Sequence, residues 1–293
     1  MMSKAAAIGV DIGGTQIKAV AVDGGGTVLG RQQADTSERA EVLLQRLNEL
    51  LDQLPSSEAL GISAPGLVPP GSASVAWMHG RLDCLEGLDW SKQLHRPVHL
   101  LNDALAAMAG EAWIGAARDV RDAILMTLGT GVGGAILVDG RVLRGCIGRA
   151  GHLGHMTVDA LGSRDIVGTP GSLEDAIGNH TVKARSFGRF ESTHDLVQAY
   201  LRGDPEASRV WLQSIWCLAA AIVSLVNIID PRRVLIGGGI CKAGDALFKP
   251  LAAYLEELEW RPTGQSVEIV PALLGHEAGA IGAARNAMLG GRA

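Results

Sequence analysis

Ala5-Ala6-Ala7-Ile8-Gly9-Val10-Asp11-Ile12-Gly13-Gly14-Thr15-Gln16-Ile17-Lys18-Ala19-Val20-Ala21-Val22 sets the pattern for the whole chain. Ala5 to Asp11 reads as a strand and Gly13-Gly14-Thr15 as a turn. Ile17 to Val22 reads as a second strand, and Gly24-Gly25-Gly26 reverses the chain into a third, Thr27 to Gln33. The same succession returns later: a strand over Asp122 to Leu128, the turn Gly129-Thr130-Gly131-Val132-Gly133-Gly134, and a strand over Ala135 to Val138. Asp139-Gly140 then turns into Arg141 to Leu143. Two halves that each open with a glycine-bearing hairpin predict an α/β protein of two lobes with a nucleotide in the cleft between them.

Leu43, Leu44, Leu47, Leu50, Leu51 and Leu54 fall at helical spacing and are closed by Pro55. Strands are predicted at Ala59 to Ser63, at Pro97 to Leu101, and at Arg233 to Ile236 before Gly237-Gly238-Gly239. Helices are predicted at Ala104 to Trp113 and, rich in Ala and Gly, at Glu277 to Leu289. Asp159 to Gly178 is polar and loop-like. The expected lobes are 1–117, with 277–293 packing back on it, and a larger one over 118–276.

With 293 residues, 47% hydrophobic and 19% charged, the chain has a globular composition with ample material for two cores. The net charge of −5 comes without a Lys/Arg block, which argues against a nucleic-acid partner. Cys84, Cys146, Cys217 and Cys241 are scattered, as suits a reducing cytoplasm, and offer no metal pattern. The N-terminus lacks the features of a signal peptide, and Ile215 to Ile229 reads as a buried helix too short for a bilayer, so no membrane partner is expected.

Five constellations can carry chemistry. Gly13 and Gly14 let backbone N–H groups approach phosphate oxygens, Thr15 adds a hydroxyl, and Asp11 is placed to hold Mg²⁺ directly or through water; left-handed glycines in a plain hairpin are the alternative. The Gly129–Gly134 string is no dinucleotide fingerprint, because a strand follows it where that pattern needs a helix; its weight comes from repeating the first loop. Gly237-Gly238-Gly239 can lie flat against a base or ribose, or simply make a tight turn. Asn102-Asp103 offers a hydroxyl ligand and a proton acceptor, or a helix cap in Asp103. His152 and His155 can meet a metal or a polyol, or be structural.

These pieces, in this order, resemble the ROK family of sugar kinases and repressors, within the actin-like, ribonuclease-H-like ATPase superfamily, from Ile8 to about Met288. The resemblance is carried by Asp11-Ile12-Gly13-Gly14-Thr15, Pro65-Gly66, Asn102-Asp103-Ala104, the two glycine loops, Gly154-His155, Gly171-Ser172-Leu173-Glu174 and Gly237-Gly238-Gly239. It implies that Asp103 is the general base. Gly66, Asn102, Asp103, His152, His155 and Glu174 would meet the sugar. Asp11, Gly13, Gly14, Thr15, Lys18, Thr130, Gly131, Gly133, Gly238 and Gly239 would hold Mg²⁺ and ATP. The implied reaction moves the γ-phosphoryl group of ATP to a hexose or N-acylhexosamine, at its 6-hydroxyl, in a cytoplasmic homodimer or tetramer.

Two departures stand out. Family kinases carry zinc-binding cysteines where this chain has Asp165, Val167 and Ser172, so only His155 remains of that ligand set and no structural zinc is expected. Another brace is then required, and Pro170 is one candidate. Where the family has a Glu that reaches the sugar, this chain has His152. Neutral imidazole accepts one bond and donates one, whereas a carboxylate only accepts. The hydroxyl pattern read there should therefore differ from that of a typical glucokinase. Some bacterial N-acetylmannosamine kinases of the family have His at this position, and that resemblance favours an N-acylhexosamine, the alternative being drift with no change of substrate. Family repressors carry a helix-turn-helix before the first loop, and the seven residues ahead of Ile8 leave no room for one. A catalytically silent sugar-binding protein and a polyphosphate-dependent kinase stay open as alternatives.

Overall fold

The computed structural model describes residues 4–293. Its strands and helices compose two compact units: 4–121 with 136–151 and 273–293, and 122–135 with 152–272.

The first unit is built on the strands β1 (Ala7–Ile12), β2 (Gln16–Val22), β3 (Val28–Asp35), β4 (Leu60–Ala64) and β5 (Val98–Asn102), ordered β3-β2-β1-β4-β5. β1 pairs antiparallel with β2 and parallel with β4, which pairs parallel with β5. Helices α1 (Ala40–Asp52), α2 (Trp90–Gln93) and α3 (Asp103–Ile114) belong to this unit. Leu43, Leu47 and Leu50 of α1 are the buried members of the leucine stripe, and they join β1, β2 and β4 side chains in one core.

The second sheet repeats the plan. β6 (Ala123–Leu128), β7 (Val132–Val138), β8 (Arg141–Val142), β9 (Arg233–Gly237) and β10 (Glu268–Pro271) run in the order β10-β9-β6-β7-β8, which is the first sheet's order read backwards, strand for strand. The strand β10 has no counterpart in the sequence reading; four residues with two apolar side chains carry too little periodicity to reveal it. The remaining helices are α4 (Leu173–Ile177), α5 (Val182–Arg185), α6 (Thr193–Leu201), α7 (Pro205–Ile229), α8 (Asp245–Leu258) and α9 (Ala278–Met288). The expected loop over Asp159 to Gly178 thus contains a helix. Ser172 starts α4 by accepting the Asp175 N–H, an N-cap that polar composition alone conceals.

The length argument for 215–229 does not hold, because α7 begins at Pro205 and runs for 25 residues, long enough to cross a bilayer. What places it in this fold is packing: α7 lies against α4, α6 and α8, with Trp211, Ile215, Leu218 and Ile222 buried.

The expected boundary at 117/118 also differs from the observed division. Residues 136–151 cluster with the first unit, where Arg144 donates to Asn286 Oδ1 at 2.9 Å. Gly148 is seated there so tightly that a Cβ would lie 2.1 Å from the Val68 carbonyl oxygen.

α9 packs on α3, β1 and β4. A Cβ on Gly9 would fall 1.9 Å from the Ala280 carbonyl oxygen, one on Gly61 1.9 Å from Ala283 O, and one on Gly282 1.6 Å from Ala106 O. The backbones touch, which only glycine at these positions permits. The crossover into α9 is pinned by the buried Glu111, whose carboxylate accepts N–H groups of Ala116 (2.7 Å), Leu273 (2.9 Å) and Leu274 (2.8 Å).

Candidate active site

In the first unit, the carboxyl ends of three parallel strands carry the polar residues, the usual place for a ligand in such sheets. Asp11 stands near the end of β1, level with Ser63 on β4 and Lys18 on β2. Ser63 donates to Asp11 Oδ1 at 2.7 Å. Burial lifts the Asp11 pKa from 3.8 to about 6; the Ser63 hydrogen bond opposes this, the Asp103 charge adds to it, and Lys18 offsets a little. The Lys18 ammonium itself donates to the His276 carbonyl at 3.3 Å. Gly279, in the first turn of α9, comes so close that a Cβ would sit 2.7 Å from the Asp11 carboxyl carbon. An acidic group left short of compensating charge, with a second oxygen free of the Ser63 bond, suits a hard divalent cation.

Asn102 ends β5 and caps α3. Its Oδ1 accepts the Ala104 N–H at 3.0 Å while Nδ2 donates to the Gly66 carbonyl at 3.0 Å. The cap expected of Asp103 therefore belongs to Asn102. Gly66, at φ 93°, is wedged under the Trp77 carbonyl, where any side chain would clash. Asp103 is the first residue of α3, and its Oδ1 also accepts the Ala104 N–H at 2.8 Å. Its side chain reaches solvent, yet protein crowds its other sides, and this burial pushes its pKa up against the pull of the Ala104 and Asn102 bonds.

The turn Gly13–Gln16 closes with Gly13 N–H on the Gln16 carbonyl at 2.9 Å, and Thr36 secures it by donating its hydroxyl to Gly13 O at 2.7 Å. Neither Gly13 nor Gly14 has a positive φ, so left-handed backbone does not account for the pair. Gly14 and Thr15 are exposed at the tip.

The second unit holds the other set. A cavity of about 660 Å³ is lined by Gly129, Thr130, Asn179, Thr193, Gly239 and Lys242, among others. It joins the second glycine turn to the glycine string after β9, where Gly238, at φ 85°, lies against the Leu128 backbone. Gly133 lies inside β7. Gly131 faces Glu174, whose Oε2 accepts the Val132 N–H at 2.8 Å.

His152 and His155 share one short turn, with the His155 N–H donating to the His152 carbonyl at 3.2 Å. His155 Nδ1 lies 2.8 Å from Asp165 Oδ2, whose side chain is wholly shielded from solvent by its own surface loop. Asp165 Oδ1 accepts the N–H groups of Val167 at 3.0 Å and Thr169 at 2.8 Å. Desolvation would raise the Asp165 pKa, but the bonds from His155, Thr169 and Val167 together outweigh it and hold the carboxyl below its usual range. The loop is therefore knotted around Asp165. Pro170, the expected source of stiffness, contributes a single bridge to Arg164. Among the described residues no group of three or more His, Cys, Asp or Glu side chains is arranged to hold a metal ion.

Sequence reasoning missed Ser63, Gly279 and the anchoring role of Asp165. Ser63 alone carried a signal, as the polar residue closing an otherwise apolar strand. Gly279 depends on a contact across a long sequence separation, whereas Asp165 binds residues of its own loop in a conformation that no local period announces.

The ROK family model matches residues 7–288. A glucokinase of Halalkalibacterium halodurans is 30% identical, over 94% of this chain and 92% of that protein. An N-acetylmannosamine kinase of Vibrio cholerae is 29% identical, over 94% and 97%. A ROK glucokinase of Streptomyces griseus, solved in complex with glucose and AMPPNP, superimposes with a TM-score of 0.77 at 28% identity, covering 95% of this chain and 97% of that one. The architecture is the actin-like ATPase fold of the ROK sugar kinases.

Proposed function

The chain belongs to the ROK family, and on that premise we propose that it phosphorylates a hexose or N-acylhexosamine with ATP, at the 6-hydroxyl, using Asp103 as general base. The observation that carries this reading is the convergence of Asp11, Ser63, Asn102 and Asp103 at one edge of the first sheet, with Asp103 open to solvent and its pKa raised. The similarity to a glucokinase, to an N-acetylmannosamine kinase and to a structure holding glucose and an ATP analogue supports it.

Phosphoryl transfer asks little covalent work of a protein, so positioning and charge neutralisation dominate. Asn102 spends one amide atom on the α3 cap and the other on Gly66, which fixes the backbone next to the acceptor sugar. Asp103 Oδ1 is tied to its own helix, leaving the other oxygen to take the hydroxyl proton. A base with a raised pKa holds that proton better than an ordinary carboxylate. Asp11 is the residue that would hold Mg²⁺, directly or through water; the ion, when bound, neutralises phosphoryl charge. The cavity at Gly129, Thr130 and Gly239 has the size for the adenosine part, and Val197, Leu201 and Ile240 add apolar wall to its polar lining. Cys84, Cys146, Cys217 and Cys241 are all free thiols, consistent with a reducing cytoplasm.

The test is an ATP-coupled screen of glucose, mannose, fructose, N-acetylglucosamine, N-acetylmannosamine and glucosamine, run with wild type and Asp103→Asn. At least one sugar is turned over by wild type, and the variant binds it but is slower by ~10²-fold or more. Sugar binding without turnover of any of the six would assign the chain to the silent sugar-binding class instead.

A further inference from the structure

In the turn between β6 and β7, the Gly129 N–H donates to the Gly131 carbonyl at 2.9 Å and the Val132 N–H to Glu174 Oε2 at 2.8 Å. The N–H groups of Thr130 and Gly131, between them, meet no acceptor among the described residues. The carbonyls of those same two peptide units are both taken. Gly129 O accepts the Asn179 N–H at 3.0 Å, and Thr130 O accepts the His180 N–H at 3.1 Å. His180 Nδ1 also lies 2.8 Å from that Thr130 oxygen; a carbonyl only accepts, so this ring nitrogen donates. In a trans peptide the C=O and the N–H point opposite ways. Drawing both carbonyls toward 179–180 therefore turns the Thr130 and Gly131 N–H groups to the other side.

The segment that orients the turn is itself held by short bonds. Asn179 Oδ1 accepts the Thr193 N–H at 2.7 Å, the Thr181 hydroxyl donates to Asp175 O at 2.7 Å, and Arg185 Nη2 donates to Gly178 O at 3.0 Å. Asp175 Oδ1, 3.1 Å from His180 Nε2, orients the ring. Gly178 leaves room for it, since a Cβ there would lie 2.8 Å from His180 Nδ1 and 2.9 Å from Thr130 O. Successive N–H groups on one side of a turn form a concavity that binds anions, and Gly129 and Thr130 line the cavity of about 660 Å³. The Glu174 charge opposes an anion at this turn, so binding there depends on both N–H groups being aligned. We propose that His180 is a positioning residue for phosphate. Together with the Asn179 N–H it fixes two peptide planes, so that Thr130 and Gly131 present their N–H groups jointly to a phosphate of the nucleotide. The inference rests on the kinase reading for the identity of that ligand. A seat set beforehand spares the cost of ordering it when the anion arrives.

The experiment is calorimetric titration of the full chain, with Mg²⁺ present, against AMPPNP, adenosine and inorganic pyrophosphate. His180→Ala binds AMPPNP and pyrophosphate about 3- to 10-fold more weakly than wild type, the net worth of one hydrogen bond, and adenosine within about 2-fold. His180→Asn places an amide N–H where Nδ1 stood and returns AMPPNP to within about 2-fold of wild type. His180→Gln reaches as far as Nε2, toward Asp175, and shows the same loss as alanine. The side chain is exposed, so all three variants fold, which thermal melts verify. A brace that served stability alone would separate neither Asn from Gln nor AMPPNP from adenosine. An AMPPNP affinity unchanged in His180→Ala, an equal loss for adenosine, or no recovery in His180→Asn overturns the proposal. If wild type binds no nucleotide the kinase reading fails by itself, and pyrophosphate then decides this one: equal behaviour of wild type and His180→Ala overturns it.

Discussion

Replacing Asp11 by Asn separates what this residue does for function from what it costs the fold. Its pKa rises from 3.8 to about 6, first because it is buried, with the Asp103 charge adding to the shift. The sign follows from linkage. Below about pH 4 the carboxyl is protonated in both folded and unfolded chains and costs nothing. Between about 4 and 6 the folded state holds its proton while the unfolded state has lost it, so stability falls as pH rises. Above 6 the loss is complete. At 1.36 kcal/mol per pKa unit the full shift corresponds to about 3 kcal/mol. Asp11 is only partly shielded from solvent, so roughly half of that is a sound lower figure. Asn keeps an acceptor for the Ser63 hydroxyl and carries no charge. Thermal unfolding in EDTA, without nucleotide, should therefore show Asp11→Asn more stable than wild type at pH 8 by about 1.5–3 kcal/mol, or about 3–10 °C in Tm. The difference should close toward pH 4. Kinase turnover of the same variant should fall by ~10²-fold or more, the common pattern where a strained functional group is relaxed. Equal melting temperatures at pH 8, or a difference that does not change with pH, would refute the account of Asp11 as a buried anion awaiting a cation.

The acid limb of kcat/KM should lie above the ordinary carboxylate range, because burial raises Asp103 and the base form is lost as pH falls; a limb below about 4.5 would remove Asp103 from the titrating set. Asp165→Ala strips acceptors from Val167 N–H, Thr169 N–H and His155. It should raise the sugar KM about 10-fold with kcat changed less than about 3-fold, since unmet buried donors cost about 1–3 kcal/mol each; an unchanged KM would show that the knot does not position His155. His152→Glu should reorder the sugar preference in the six-sugar screen, and an identical ranking would exclude His152 from specificity. Gly61→Ala, which would push a Cβ to 1.9 Å from the Ala283 carbonyl, should destabilise by about 3 kcal/mol or more in denaturant unfolding.

The repeated hairpin was legible in the sequence because apolar runs punctuated by glycine are local signals: strand, turn and strand recur at Ala7–Val22 and Ala123–Val138, and the two sheets have matching strand orders. Asp11 and Asn102 were legible for the same reason, as polar residues at the ends of apolar strands, and Asp103 as the acidic residue that follows. Glycine's reasons were not legible. Gly13 and Gly14 invite a left-handed explanation that their backbone does not bear out, whereas Gly9, Gly61 and Gly282 are glycine because α9 lies directly on the sheet and on α3. The short helix α4 was hidden in polar sequence, and the length of α7 was underestimated because its first turns carry charge.

Residue types and local period therefore determined the strands, the turns and the chemical inventory by themselves, since both depend on neighbours within a few positions. Only tertiary structure decided that Asp165 knots the loop around His155, that Ser63 and Gly279 flank Asp11, and that Glu174 lies on the Val132 amide. Each of these joins groups that no local period pairs. A hydrogen bond is won or lost over less than an ångström, a distance that packing sets and residue spacing does not record.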